Sequence, residues 1–169
     1  MKRVIALCLG LRAVGKTAHI WKNPQFTPRY AARLEGLLTE QTTGTVVAVD
    51  MAAENLFPMG AEPFVGKVQL CFDHHLSNNF YAAETLLQTE CAGCGEIIWD
   101  LLEELGVEIT PAMAEAVYIA ISTDSGRFCY SNTTARTLHT AAKCVEHGAN
   151  IFPINREHFE VKSKGCLLL

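Results

Sequence analysis

The sequence predicts an α/β domain in which helices cover both faces of a mainly parallel sheet. Two runs rich in apolar and β-branched residues, 45–49 and 68–72, have the length of strands, and an aspartate follows each of them directly. Segment 93–105 has apolar residues at helical spacing, with charged residues between them. The chain has 169 residues, which is the size of a single domain.

Composition excludes several classes of protein. Apolar residues make up 49% of the chain and charged residues 19%, as in a globular protein with a core. The formal net charge of −4 provides no basic surface for nonspecific binding of duplex nucleic acid, although one small phosphorylated substrate could be held locally. The seven cysteines are an odd number scattered along the chain, which indicates reduced thiols in a cytoplasmic protein. No apolar run is long enough to span a membrane, so we expect no membrane partner.

The first part of the chain permits two interpretations. Residues 10–17, GLRAVGKT, match the pattern of a phosphate-binding loop that follows an apolar run. In that interpretation Lys16 and Thr17 contact a nucleotide, and Asp50 lies on the magnesium side of the site. The chain would then be a P-loop nucleotide-binding protein.

The same stretch also fits a helix over residues 2–14 that ends at Gly15, followed by a strand over residues 17–21. A phosphate-binding loop must lead directly into a helix, because the first amides of that helix hold the phosphates. Here Pro24 follows within a few residues and disfavours helical structure before it. We therefore favour the order helix, glycine and strand.

The remaining elements are predicted from local signals. Helical spacing is present over residues 30–38, and the prolines and glycines of residues 55–66 indicate a loop between the two strands. Residues 76–81 form a polar loop that leads into another short apolar stretch. Gly106 ends the helix predicted over residues 93–105. Thr110 followed by Pro111 is typical of a helix start. The predicted helices of the second half are 93–105, 111–122, 135–146 and 153–161.

Side chains that bind cations follow three of these elements: Asp50, the run Asp73, His74 and His75, and Asp124. In open α/β sheets, ligands collect beyond the carboxyl ends of the strands, so we expect a metal cleft there. A carboxylate can orient one imidazole while the other nitrogen of the ring faces a metal. Carboxylate and imidazole together suit Mn²⁺ or Mg²⁺ better than a structural zinc. Phosphoester hydrolysis with two metal ions needs ligands of this kind from several elements.

The ordered set of segments resembles the DHH phosphoesterase superfamily, particularly the bacterial nanoRNases that also dephosphorylate 3′-phosphoadenosine 5′-phosphate. The matching segments are residues 46–50, 73–78 (DHHLSN), 123–128 (TDSGRF) and 130–137. The resemblance covers essentially the whole chain. It implies a three-layer αβα domain of the DHH type that hydrolyses phosphoester bonds with two Mn²⁺ ions, or with Mg²⁺ instead. Its substrates would be short single-stranded RNA or a 3′-phosphonucleotide, and a homodimer is a further expected assembly.

The resemblance also implies roles for individual residues. Asp50 would bridge the two metal ions, and His74 and Asp124 would both ligate one and the same ion of the pair. Asp73 would stand behind these ligands, and His75 would face the scissile phosphate and stabilise charge in the transition state.

Asn78 and Arg127 are the expected substrate contacts.

The family's first strand, with a His and an Asp-Gly-Asp motif, and its C-terminal DHHA1 substrate domain have no counterpart in this sequence. On this interpretation residues 1–160 are a partial catalytic domain and residues 161–169 begin a linker, so we expect weak turnover from this chain alone. A degenerate, non-catalytic nucleotide-binding or dimerising module is the non-enzymatic alternative.

Overall fold

A computed structural model describes residues 2–24 and 30–160. Its helices are α1 (Lys2–Ala13), α2 (Ala31–Leu34), α3 (Cys94–Glu104), α4 (Pro111–Asp124), α5 (Ala135–Glu146) and α6 (Ile151–Asn155). Its strands are β1 (Ile20–Trp21), β2 (Leu38–Thr39), β3 (Val46–Val49), β4 (Val68–Asp73) and β5 (Glu84–Leu87). Two 3₁₀ turns, Glu54–Leu56 and Glu62–Phe64, connect β3 to β4, and a π-helical turn, Arg156–Glu160, follows α6.

All strand pairs among the described residues are parallel. Strands β3, β4 and β5 form one sheet in that order, while β1 and β2 form a separate two-stranded sheet. Val49 pairs with Phe72, so β3 and β4 end side by side. The backbone N–H of Asp50 continues this pairing by donating to the Phe72 carbonyl at 2.8 Å. The predicted α/β class with a parallel sheet is confirmed, and the residues after β3 and β4 share one sheet edge.

The core lies between this sheet and a layer of helices that includes α1, α3, α4 and α5. Helix α4 is buried on nearly every side, from Met113 to Ser122, as expected for a helix that is apolar all round. It packs against α1, α3 and α5. The opposite face of the sheet carries a smaller cluster around Val68 and Cys71, which side chains from the connecting loops, including Phe57 and Tyr81, cover.

Helix α1 settles the choice between the two N-terminal interpretations. Gly15 has a φ of 79°, and the N–H groups of Gly15 and Lys16 donate to the carbonyls of Arg12 and Leu11 at 3.0 and 2.9 Å. This is the C-terminal end of a helix stopped by a glycine. Residues 10–13 are thus the last turn of a helix instead of a loop in front of one, and Lys16 is exposed. The phosphate-loop interpretation is wrong, and the helix, glycine and strand order is confirmed.

Several boundaries differ from those predicted. The helical segment predicted over residues 30–38 is the short α2, and Leu38–Thr39 instead forms β2 by pairing with Ile20–Trp21. Strand β1 is therefore shorter than residues 17–21, because only its end has a partner. Strand β5 lies beyond the polar loop and carried no strand prediction.

The predicted helices of the second half are confirmed as α3, α4 and α5, and Asp124 is the last residue of α4. Asp124 therefore lies at the end of a helix, whereas the other ligand-type side chains lie at or just beyond the ends of β3 and β4. The last predicted helix is divided into α6 and the π-helical turn, with Val161 and the expected linker outside the described residues. In the part of the chain that the structure describes, no helix has the length and apolar character needed to cross a membrane. The six cysteines of that part are free thiols.

Candidate metal centre

Asp50 adopts a left-handed backbone conformation directly after β3, with a φ of 66°. Aspartate tolerates this region better than most residues, and such conformations concentrate at functional sites. Its Oδ1 is buried and accepts no hydrogen bond from the residues that the structure describes. It lies 3.4 Å from His74 Nε2. Burial raises the pKa of Asp50, but the contact with His74 and the charge of Arg3 outweigh it, so the pKa lies below its usual value.

The ring of His74 is fixed from behind by a backbone carbonyl. Its Nδ1 lies 3.1 Å from the carbonyl oxygen of Cys91, which can only accept a hydrogen bond. The Nδ1 atom therefore carries the proton of the neutral ring, and Nε2 faces Asp50. The contact with Asp50 raises the pKa of His74 above its ordinary value, against the opposing effect of burial.

Asp73 is fully buried and uses both carboxylate oxygens within the protein. Its Oδ1 accepts from the backbone N–H of His74 at 2.9 Å and contacts His75 Nδ1 at 2.7 Å. Its Oδ2 accepts from Asn78 Nδ2 at 2.7 Å. Asp73 thus stands behind both histidines and orients the ring of His75, whose side chain is 44% exposed.

Arg3 joins two of the expected metal ligands. From the first turn of α1, its Nη1 donates to Asp50 Oδ2 and its Nη2 donates to Asp124 Oδ2. The three side chains are largely buried, with exposed fractions of 12% for Arg3, 16% for Asp50 and 20% for Asp124. Burial lowers the pKa of Arg3, but the two carboxylates together reverse this and raise it above its ordinary value. This role was not predictable from the sequence, because Arg3 belongs to an ordinary charged start of a helix.

Comparison with known proteins adds the family context, although no family model matches the sequence. The chain is 28% identical over 152 residues to the bifunctional oligoribonuclease and PAP phosphatase NrnA of Thermus thermophilus. The aligned region covers 87% of this chain and 46% of the relative. It is 33% identical to the NrnA of Mycoplasma pneumoniae over 54% of this chain and 28% of that protein. It is 32% identical to a probable manganese-dependent inorganic pyrophosphatase of Staphylococcus carnosus over 72% of this chain and 40% of that protein.

The chain is similar in sequence to bifunctional oligoribonucleases and PAP phosphatases of the NrnA type. The predicted resemblance is confirmed, and the chain spans less than half the length of these curated relatives. An exopolyphosphatase-related protein from Bacteroides fragilis has the same fold, with a TM-score of 0.82 and 17% identity over 99% of this chain and 55% of that chain.

Asp124 is held in place by small and polar neighbours. A Cβ atom on Gly93 would lie 2.4 Å from Asp124 Oδ2, so only glycine allows the carboxylate to approach α3 this closely. The side chain of Asn132 donates to the Asp124 carbonyl at 3.1 Å and to the Ala92 carbonyl at 3.2 Å. Neither Gly93 nor Asn132 was predicted as a site residue, although Asn132 belongs to a segment that carries the resemblance.

The two expected substrate contacts have different surroundings from those predicted. Asn78 is buried, its Nδ2 donates to Asp73, and its Oδ1 accepts from the Phe80 N–H at 2.8 Å. Because both ends of its amide are used inside the protein, Asn78 positions Asp73 instead of offering a free substrate contact. Arg127 is exposed, and its guanidinium lies over the ring of Phe159, 5.4 Å from the ring centroid. A substrate contact by Arg127 stays a prediction.

Among the described residues, two sets of donor atoms could hold a divalent cation. The first set, which we call the three-donor group, consists of Asp50, His74 and His75. Each of these residues brings one ligand atom within 4.8 Å of the other two. The second set replaces the histidines with Asp73 and Cys94. Asp73 already has its hydrogen bonds, and burial raises the pKa of the Cys94 thiol, so this thiol is a poor ligand. The three-donor group therefore fits a divalent cation better. Asp124 lies outside it and reaches Asp50 through Arg3.

Proposed function

We propose that this chain is the catalytic part of a metal-dependent phosphoesterase that hydrolyses short oligoribonucleotides, 3′-phosphoadenosine 5′-phosphate or both. The observation that carries the proposal is the buried, unpartnered Oδ1 of Asp50 beside Nε2 of His74, with His75 next to them. A buried carboxylate oxygen without a hydrogen-bond donor is unfavourable unless a cation compensates it. The names of the NrnA relatives support the substrate class, and the name of the pyrophosphatase relative supports manganese.

Each residue of the three-donor group has a distinct task in this proposal. Asp50 and His74 hold the cation, and the Cys91 carbonyl keeps Nε2 of His74 directed at it. When bound, a divalent cation supplies positive charge for the phosphoryl oxygens and makes the attacking water more acidic.

His75 acts on the substrate side. Its Nδ1 is engaged by the buried Asp73, so its exposed face can donate a hydrogen bond to a phosphate oxygen as negative charge develops. Asp73 maintains the orientation of the ring. This division makes His75 a catalytic residue and Asp73 a positioning residue.

Charge favours small substrates. With a net charge of −4, the chain offers little long-range attraction to a long polyanion. A dinucleotide or a nucleoside bisphosphate needs only local contacts around the cation. The net negative charge thus supports the short end of the substrate range.

The test combines manganese binding with hydrolysis. We expect Asp50→Ala and His74→Ala to weaken Mn²⁺ binding by roughly tenfold or more in titration calorimetry. We expect His75→Ala to lower kcat for a dinucleotide or for 3′-phosphoadenosine 5′-phosphate about 100-fold while changing Mn²⁺ affinity much less. His139→Ala, an exposed histidine of α5, is the matched control and leaves both unchanged. A folded chain that binds no Mn²⁺ would refute the proposal and favour a non-catalytic module.

A further inference from the structure

Arg3 contacts both of the carboxylates that the sequence predicts as metal ligands. It lies between Asp50 and Asp124, and one planar guanidinium donates to both carboxylates at once. These residues are 47 and 121 positions away from Arg3 in the sequence, so the folding of α1 against α4 brings the three together. A guanidinium stays charged at all physiological pH values and suits contacts with two acceptors.

The charges of the cluster limit how many cations it can hold. Two carboxylates that are mostly buried and face one point repel each other unless a cation lies between them. Arg3 supplies that cation, leaving one negative charge from the pair uncompensated. A divalent ion at the same point would be repelled strongly by Arg3 at such short range. One site for one ion remains, on the other side of Asp50.

The remaining site is the one at which Asp50 has a free oxygen. Oδ2 of Asp50 is used by Arg3, whereas Oδ1 is buried, unpartnered within the described residues and directed at His74. One oxygen of the Asp50 carboxylate therefore contacts the Arg3 guanidinium, and the other faces the candidate metal site beside His74. Asp124 has its contact on the Arg3 side.

We propose that Arg3 replaces one of the two expected metal ions, so that this chain binds a single divalent cation, held by Asp50 and His74 of the three-donor group. This inference rests on the proposed function and refines it. Arg3 holds Asp50 and Asp124 together without metal, and it positions Asp50 for the remaining ion. The two-ion mechanism expected from the resemblance then becomes a one-ion mechanism with a fixed arginine.

The test is the number of Mn²⁺ ions bound per chain, measured by titration calorimetry and by equilibrium dialysis. We expect one ion for the wild type and two for Arg3→Gln, which removes the charge but keeps much of the side chain. Arg3→Lys keeps the charge and should bind one ion. Arg12→Gln is the control, because Arg12 lies on the same helix and contacts Ala18, Gly36 and His19 instead of the metal centre.

Thermal unfolding gives a second readout that does not depend on activity. In EDTA, Arg3→Gln should melt at a lower temperature than the wild type, because Asp50 and Asp124 then lack a counterion. Added Mn²⁺ should raise its melting temperature more than that of the wild type.

Different negative results would overturn the inference about Arg3 and the proposed function. Two Mn²⁺ ions on the wild type would overturn the inference even if Arg3→Gln did not fold. One ion on both proteins with equal affinity would also overturn it while leaving the proposed function intact. Absence of Mn²⁺ binding by both proteins would refute the proposed function itself.

Discussion

The carboxylate of Asp73 and the imidazole of His75 are in direct contact, with Oδ1 and Nδ1 2.7 Å apart, although one group is fully buried and the other is half-exposed. The two residues are separated by His74, whose backbone N–H also donates to the same oxygen. A single buried acceptor therefore organises the loop that follows β4. The orientation of His75 depends on a group that solvent does not reach.

Asp73→Asn should destabilise the protein and misorient His75. The carboxylate accepts from three donors, and an asparagine amide would place one NH₂ group against a donor such as Asn78 Nδ2. We expect a loss of about 1–3 kcal/mol in the free energy of unfolding, measured by urea denaturation.

Asp100→Asn is the matched control for that substitution. Asp100 is about half-exposed and forms an ion pair with Arg136, so its replacement should cost about 1 kcal/mol or less. Equal losses for the two variants would contradict the role assigned to Asp73.

Gly93→Ala should displace the Asp124 carboxylate from its place beside α3. The added Cβ would lie 2.4 Å from Asp124 Oδ2, and neither backbone can easily move, because Asn132 ties the two segments together. We expect about 1–3 kcal/mol of destabilisation. The same substitution in an Asp124→Ala background should cost much less, since the smaller side chain leaves room for the methyl group. If the two substitutions had additive effects on the free energy of unfolding, the destabilisation by Gly93→Ala would not come from a clash with the Asp124 carboxylate.

Much of the fold was predictable because its signals are local. The apolar stripe of α3 and the Thr110 cap, whose side chain accepts from the Met113 N–H at 3.4 Å, are readable within a few residues. The strand ends at Asp50 and Asp73 were also predictable. An apolar run followed by an acidic residue can be recognised from the local sequence, without knowing which strand pairs with it. The short strands β2 and β5 were not predicted, since both depend on pairing with strands distant in sequence.

The composition of the metal centre was only partly predictable for the same reason. His74 and Asp50 could be proposed from residue type, but Arg3 meets Asp50 only through tertiary packing. Asn78 resembled a substrate contact because it is polar and next to the histidines. Its burial against Asp73 is a property of the folded loop, and no sequence pattern records it.

Lys16→Ala should have almost no effect on stability or ligand binding. Lys16 is exposed just past the end of α1, where carbonyl groups instead of amides of the helix point outward. We expect a change within about 0.5 kcal/mol in urea denaturation, as for other surface substitutions. No specific binding of ATP is expected for either protein in titration calorimetry. ATP binding by the wild type that Lys16→Ala abolished would restore the phosphate-loop interpretation.

Glu96 makes the stability of this protein depend on pH. It is fully buried in the first turn of α3, where its Oε1 accepts from the Ala92 N–H at 3.0 Å and from Thr137 Oγ1 at 2.9 Å. Burial raises the pKa of Glu96, and these hydrogen bonds with the charge of Arg136 offset only part of that effect. The folded protein therefore holds this proton more tightly than the unfolded chain does.

This difference fixes the sign of the pH dependence. Above about pH 4.5, the ordinary pKa of the group, the unfolded chain releases the proton first, so the Glu96 contribution to the free energy of unfolding falls as the pH rises towards the raised pKa. Glu96→Gln stays neutral and keeps an oxygen for Ala92 and Thr137, so its unfolding free energy should fall less over the same range. Urea denaturation at several pH values from 4 to 7 measures the two slopes. Glu108→Gln, at an exposed position, should keep the wild-type slope, and a slope for Glu96→Gln equal to that of the wild type would show that this carboxyl does not titrate differently on folding.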